Sequence, residues 1–101
     1  MNLKSAIVFI LSLCLFSSLA NAQMRFYDEA EETYQAGQFY EAVDMYRDAY
    51  DKIPGREIKD EITFKIAECY RKTDQPRKAE LWYSKAIKRD YDNPLIYLYY
   101  A

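Results

Sequence analysis

The chain has no histidine among its 101 residues. Catalysis by imidazole and metal ligation by imidazole are therefore excluded. Glycine is nearly missing, at 2, and proline stands at 3. With few Gly and no alternating apolar–polar runs, an all-α chain is expected. No Gly-rich loop is present to cradle a phosphate. Cysteine occurs only as Cys14 and Cys69. Net charge is −2, and Lys4 is the only charged residue among the first 22. The remainder carries 13 basic and 16 acidic residues, a net −3. That balance argues against nucleic-acid binding, which draws on a basic face.

What the chain does have begins with a leader. Lys4 supplies a positive start, and Ala6 to Phe16 is an 11-residue apolar core. Ala20-Asn-Ala22 offers the small-x-small pattern of a signal-peptidase site, with Gln23 as the new N-terminus. A spanning helix needs about 20 apolar residues, more than this run supplies. The expectation is a signal peptide over 1–22 and export across the inner membrane. An uncleaved leader would be the only membrane contact. Cys14 follows Leu13, which does not suit a lipid-attachment box. Cleavage removes Cys14 and leaves Cys69 as the only mature thiol, so no internal disulfide is expected.

Beyond the leader the spacing predicts five helices. The first covers Met24 to Ala36, with Phe26, Ala30 and Thr33 on one face, and Gly37-Gln38 breaks it. The second covers Phe39 to Ile53 and is stopped by Pro54-Gly55. The third covers Ile58 to Lys72 and buries Ile62, Ile66, Ala67 and Tyr70. Thr73 to Pro76 turns the chain, with Pro76 at the first helical position of a fourth helix ending near Arg89. Pro94 opens a fifth helix, Pro94 to Ala101.

Two of these helices carry the same apolar stripe. Ala42, Met45, Tyr46, Ala49 and Tyr50 recur 37 positions later as Ala79, Trp82, Tyr83, Ala86 and Ile87. The i, i+3, i+4, i+7, i+8 spacing makes one face of a helix. Two copies one period apart predict stacked units rather than one closed core.

These residues carry a resemblance. The chain resembles tetratricopeptide (TPR) repeats, helix–turn–helix units of 34 residues. The family's small residue in the first helix matches Ala30, Ala67 and Ala101. Its turn glycine matches Gly37, although Asp74 stands there in the second unit. Its small–aromatic–small signature matches Ala42, Tyr46 and Ala49, then Ala79, Tyr83 and Ala86. Its closing proline matches Pro54, while the second unit has Tyr91. The resemblance implies a TPR-type α-solenoid over 23–101, with units at 23–56 and 60–93 and a truncated third over 94–101. The longer first spacing implies three extra residues around Gly55 to Lys59. An apolar third unit implies that the chain continues, or associates with itself through an open C-terminal end. A leader followed at once by such repeats is also similar to the N-terminus of OmpA-like envelope proteins of gliding bacteria with type IX secretion. The β-propeller and peptidoglycan-binding domain of those proteins have no counterpart among these residues.

For function, the resemblance implies a non-enzymatic scaffold that docks a protein or peptide partner in the periplasm or at the outer membrane. First helices line the concave surface in that family, which implies Tyr27, Glu31, Tyr34 and Gln35, then Phe64, Glu68, Arg71 and Lys72, then Leu95 and Leu98. For Tyr34 and Phe64, packing between units is an equal reading. The family's carboxylate clamp is not expected, because Tyr27 and Glu31 stand where it needs Lys and Asn. The many tyrosines leave a second function open, a glycan-binding surface on which their rings stack.

The remaining chemistry reads as structural. Cys69 has Lys65 and Lys72 at helical spacing but no imidazole base, so a packed thiol is expected. The acidic runs Asp28-Glu29, Glu31-Glu32 and Asp60-Glu61 fall on helices, whereas calcium wants converging loop oxygens. No metal or cofactor is expected. Residues 23–53 hold 8 acids and 3 bases, and residues 54–101 hold 8 acids and 10 bases. Two solvated faces explain this without function. Head-to-tail complementarity, or steering of a bipolar partner, is the functional alternative.

Overall fold

The structure is a computed structural model that describes residues 2–89 and Pro94, with residues 12–21 described by their backbone alone. It is all-helical, with no strand among the described residues. Four helices follow in order: α1 Leu3–Gln35, α2 Phe39–Lys52, α3 Arg56–Lys72 and α4 Pro76–Lys88. Each packs on the next, α1 on α2, α2 on α3 and α3 on α4. The predicted fifth helix, with Leu95, Leu98 and Ala101, lies outside the described residues.

α1 departs from the reading of a helix that starts at Met24. It is one helix of 33 residues that runs through Ala22–Gln23. The first glycine is Gly37 and the first proline Pro54, so nothing in the segment can break it. Leu3, Ile7, Val8, Phe9, Ile10 and Leu11 are exposed on its leader half. Among the described residues no helix is long and apolar enough to cross a membrane.

The α1–α2 and α3–α4 turns are built alike. Gly37 has φ +78° and Asp74 φ +57°, both left-handed. Gln38 N–H reaches back to Thr33 O at 3.1 Å, and Gln75 N–H to Tyr70 O at 2.8 Å. Gly37 N–H bonds Tyr34 O at 2.9 Å, and Asp74 N–H bonds Arg71 O at 3.2 Å. This is the Schellman helix end, which requires a left-handed residue after the helix. Asp74 therefore does the work of the turn glycine, since a short polar side chain tolerates that conformation. A Cβ added at Gly37 would touch nothing within 4 Å. Gly37→Ala is thus expected to destabilise by backbone strain alone, about 1 kcal/mol. Asp74→Gly should relieve strain and leave stability unchanged or higher. Paired urea melts check both, and a neutral Gly37→Ala would remove the Schellman account.

The three extra residues between units are not a longer loop. Only Ile53, Pro54 and Gly55 separate α2 from α3, which starts at Arg56 rather than Ile58. α3 thus takes up Arg56 and Glu57, which were expected in the connection.

The core follows the stripe. Ala42, Tyr46 and Ala49 are buried, as are Ala79, Tyr83 and Ala86. Met45, Tyr50, Trp82 and Ile87 are partly buried against them. Ile62, Phe64, Ile66, Ala67, Cys69 and Tyr70 of α3, Ala30 of α1, Val43 of α2 and Ile53 join it.

Candidate functional site

Helices α1 and α3 meet along a seam of polar and aromatic residues. Positions 37 apart face one another in role: Tyr27 and Phe64, Glu31 and Glu68, Tyr34 and Arg71, Gln35 and Lys72. Their surroundings differ. Tyr27, Glu31 and Tyr34 are half-buried, and Gln35 and Lys72 are exposed. Phe64 and Glu68 are buried, at 3% and 7% exposure. Phe64 packs its ring on Tyr83, with centroids 5.9 Å apart. It therefore belongs to the core, and its ring has no open groove to line. Leu95 and Leu98 lie outside the described residues.

Two carboxylates organise the seam. Glu31 accepts a hydrogen bond from the buried Tyr46 phenol. Lys65 Nζ stands 3.8 Å from Glu31. Glu68 accepts a hydrogen bond from Tyr34 Oη at 3.2 Å, which ties α1 to α3. Arg71 Nε donates to Tyr83 Oη at 3.3 Å, tying α3 to α4. Tyr34 is the hub. Its ring meets Phe39 edge-on at 5.2 Å and Tyr46 at 6.3 Å. Lys65 lies over it at 4.5 Å and Lys72 at 6.0 Å. Such cations are held by the ring quadrupole while keeping their charge.

Glycan stacking needs open ring faces. Tyr34 is enclosed by Phe39, Tyr46 and Lys65, and Tyr27 lies against Tyr46 at 6.3 Å. Of this seam, Gln35, Arg71 and Lys72 have side chains at or near the surface. Sequence reasoning missed Phe39 and Tyr46 as second-helix walls of the seam. Their signal was weak, because the repeat pattern marks Tyr46 only as a stripe residue and Phe39 only as the start of the second helix.

Burial and nearby carboxylates shape the titration of this region. Burial raises the Tyr46 phenol well above its ordinary value, with its bond to Glu31 adding to the effect. Tyr27 is raised first by burial and then by Glu61 and Glu31. Tyr34 is raised by burial and then by Glu68. Cys69 is fully buried, and burial pushes its thiol from 9.0 up to about 12, against the weaker pull of Lys65 and Lys72. This is a packed thiol, held in its neutral form. All four groups are acids raised in the folded state. Their stabilising contribution is complete below their unfolded values and is lost as pH rises through the folded ones. Melting temperature is therefore expected to fall from pH 9 as Cys69 begins to be strained, and further above pH 10 as the phenols join it. Cys69→Ala should remove the first part of the decline and leave the second. A melting temperature constant to pH 11 would contradict the burial of these groups.

No protein-family model, curated protein or solved structure matches the chain. Among the described residues no group of three acidic or cysteine side chains converges as a metal site.

Proposed function

We propose that the chain is a TPR-type pair of stacked helical hairpins that serves as a non-enzymatic docking scaffold for a protein or peptide partner, exported to the periplasm or outer membrane. The observation that carries this reading is the 37-residue relation between the hairpins. It is kept at the level of backbone hydrogen bonds, in Gln38 to Thr33 and Gln75 to Tyr70. It is kept again in the buried Tyr46 and Tyr83. Repeated hairpins bury one face against the next copy and leave the other to partners. The docking edge in this reading is the rim of the seam, with Gln35, Arg71 and Lys72 as contacts. Glu31, Tyr34 and Glu68 brace it from below. The narrower proposal, an N-terminal part of an OmpA-like envelope protein linked to type IX secretion, is supported by the leader and the repeats together.

Two experiments on envelope material test the two halves. N-terminal sequencing should find a mature chain that begins at Gln23; one that begins at Met1 would refute cleavage. Photo-crosslinking from Gln35 should trap a protein partner, and the exposed substitution Lys72→Glu should abolish the product while the chain stays folded by circular dichroism. Trapping that is indifferent to Lys72→Glu would move the docking edge elsewhere. Binding of soluble glycan fragments in place of a protein would favour the glycan reading instead.

A further inference from the structure

A second surface lies outside the α1–α3 seam. A recess of about 330 Å³ is lined by Tyr50 of α2, Thr63 of α3, and Trp82, Lys85, Lys88 and Arg89 at the end of α4. A smaller one of about 170 Å³, lined by Arg47, Tyr50, Asp51 and Trp82, adjoins it through Tyr50 and Trp82. The size suits one or two side chains of a partner rather than a folded surface.

The recess collects positive charge in an acidic chain. Lys85 Nζ lies 4.1 Å from the Trp82 ring centroid, and the Arg47 guanidinium lies 5.8 Å from it. The indole is thus approached by cations from two different helices. Lys59 Nζ lies 4.6 Å over Tyr50. A ring positions a cation without neutralising it. Arg89 is paired with Asp60. Among the described residues, Arg47, Lys85 and Lys88 stand in no ion pair. Arg47 and Lys85 are thus held near the Trp82 ring and Lys88 lines the same recess, and among the described residues none of the three has a counter-anion.

The acids nearby narrow the ligand. Asp51 lines the smaller recess, and Asp60 holds Arg89. A polyanion with closely spaced phosphates would lie against these carboxylates as well as the cations. A ligand with separated carboxylates around an apolar group avoids them. We infer that the recess binds an acidic peptide segment of a partner protein. Its carboxylates meet Arg47, Lys85 and Lys88, and an apolar side chain lies on Trp82 and Tyr50. Charge complementarity places the partner's acids opposite cations that have no ion pair among the described residues. This inference stands apart from the seam and does not depend on the scaffold reading.

Trp82 is the only tryptophan in the chain, so its fluorescence reports on the recess directly. The full chain is titrated with a capped peptide of alternating Glu and Leu, and with the same peptide carrying Gln for Glu. The expected result is a saturable change in Trp82 emission with the acidic peptide alone, weakened as salt rises from about 0.05 to about 0.5 M. Lys85→Gln/Lys88→Gln should weaken binding about fivefold or more, on the scale of exposed ion pairs. Arg47→Gln, on the other helix, should weaken it independently, which covers the case of a double variant that folds poorly. Far-UV circular dichroism controls for folding. Equal binding of the Gln peptide, or unchanged affinity in both variants, would overturn the inference. So would saturation by inorganic polyphosphate or by phosphatidylglycerol vesicles where the acidic peptide gives none.

Discussion

Tyr46→Ala is expected to destabilise the chain by about 3–5 kcal/mol, the scale of removing a buried aromatic side chain. Tyr46 is fully buried, with 0% exposure. Its ring meets Tyr27 and Tyr34, both at 6.3 Å, and its hydroxyl donates to Glu31. Truncation opens a cavity where α1 and α2 join and removes the donor from a half-buried carboxylate. A domain of this size has roughly 5–15 kcal/mol in total, so the loss is a large share of it. Tyr46→Phe separates the two effects. It keeps the packing and removes the hydrogen bond, at an expected cost of about 1 kcal/mol. The smaller figure applies because Lys65 remains 3.8 Å from Glu31. Urea denaturation of the three proteins decides the matter. A Phe variant as unstable as the Ala variant would mean that the carboxylate, and not the ring, holds this joint.

The second large effect is overpacking at the small residues of the stripe. Ala49 and Ala86 are both at 0% exposure and stand 37 positions apart. Each lets a neighbouring helix come close where a larger residue would hold it away. Ala49→Leu and Ala86→Leu should each cost on the order of 1–3 kcal/mol, because three added carbons have no space to enter. If the two hairpins are copies of one unit, the costs should be similar. Ala86→Leu melting at the wild-type temperature, beside a damaged Ala49→Leu, would show that the second hairpin packs differently from the first.

Much of the architecture was legible in the residues. A stripe at i, i+3, i+4, i+7 and i+8 has one physical solution, an amphipathic helix, and Ala42 to Tyr50 and Ala79 to Ile87 adopt it. Pro54 and Pro76 ended and began helices as their missing N–H requires. Gly37 took a left-handed helix end, the conformation that glycine enters without strain.

The candidate site was legible only in part. Glu31 and Glu68 were both assigned to an open surface, being charged residues at equivalent positions. Glu31 is half-buried, while Glu68 is closed in with the Tyr34 phenol as its donor. Phe64 was an equal choice between groove and packing, and it is buried with its ring on Tyr83. A sequence carries no sign of which aromatic ring a distant helix will bring over a given side chain.

The residues alone therefore determined helix positions, the turns and the buried stripe, because those depend on neighbours within about two helical turns. Tertiary structure decided the rest. It closed the seam around Tyr34 with residues from three helices. It brought Arg47 to Trp82, although 35 positions separate them. Burial and ring contacts are properties of the packed interface between helices, and local spacing specifies only which face each helix offers to it.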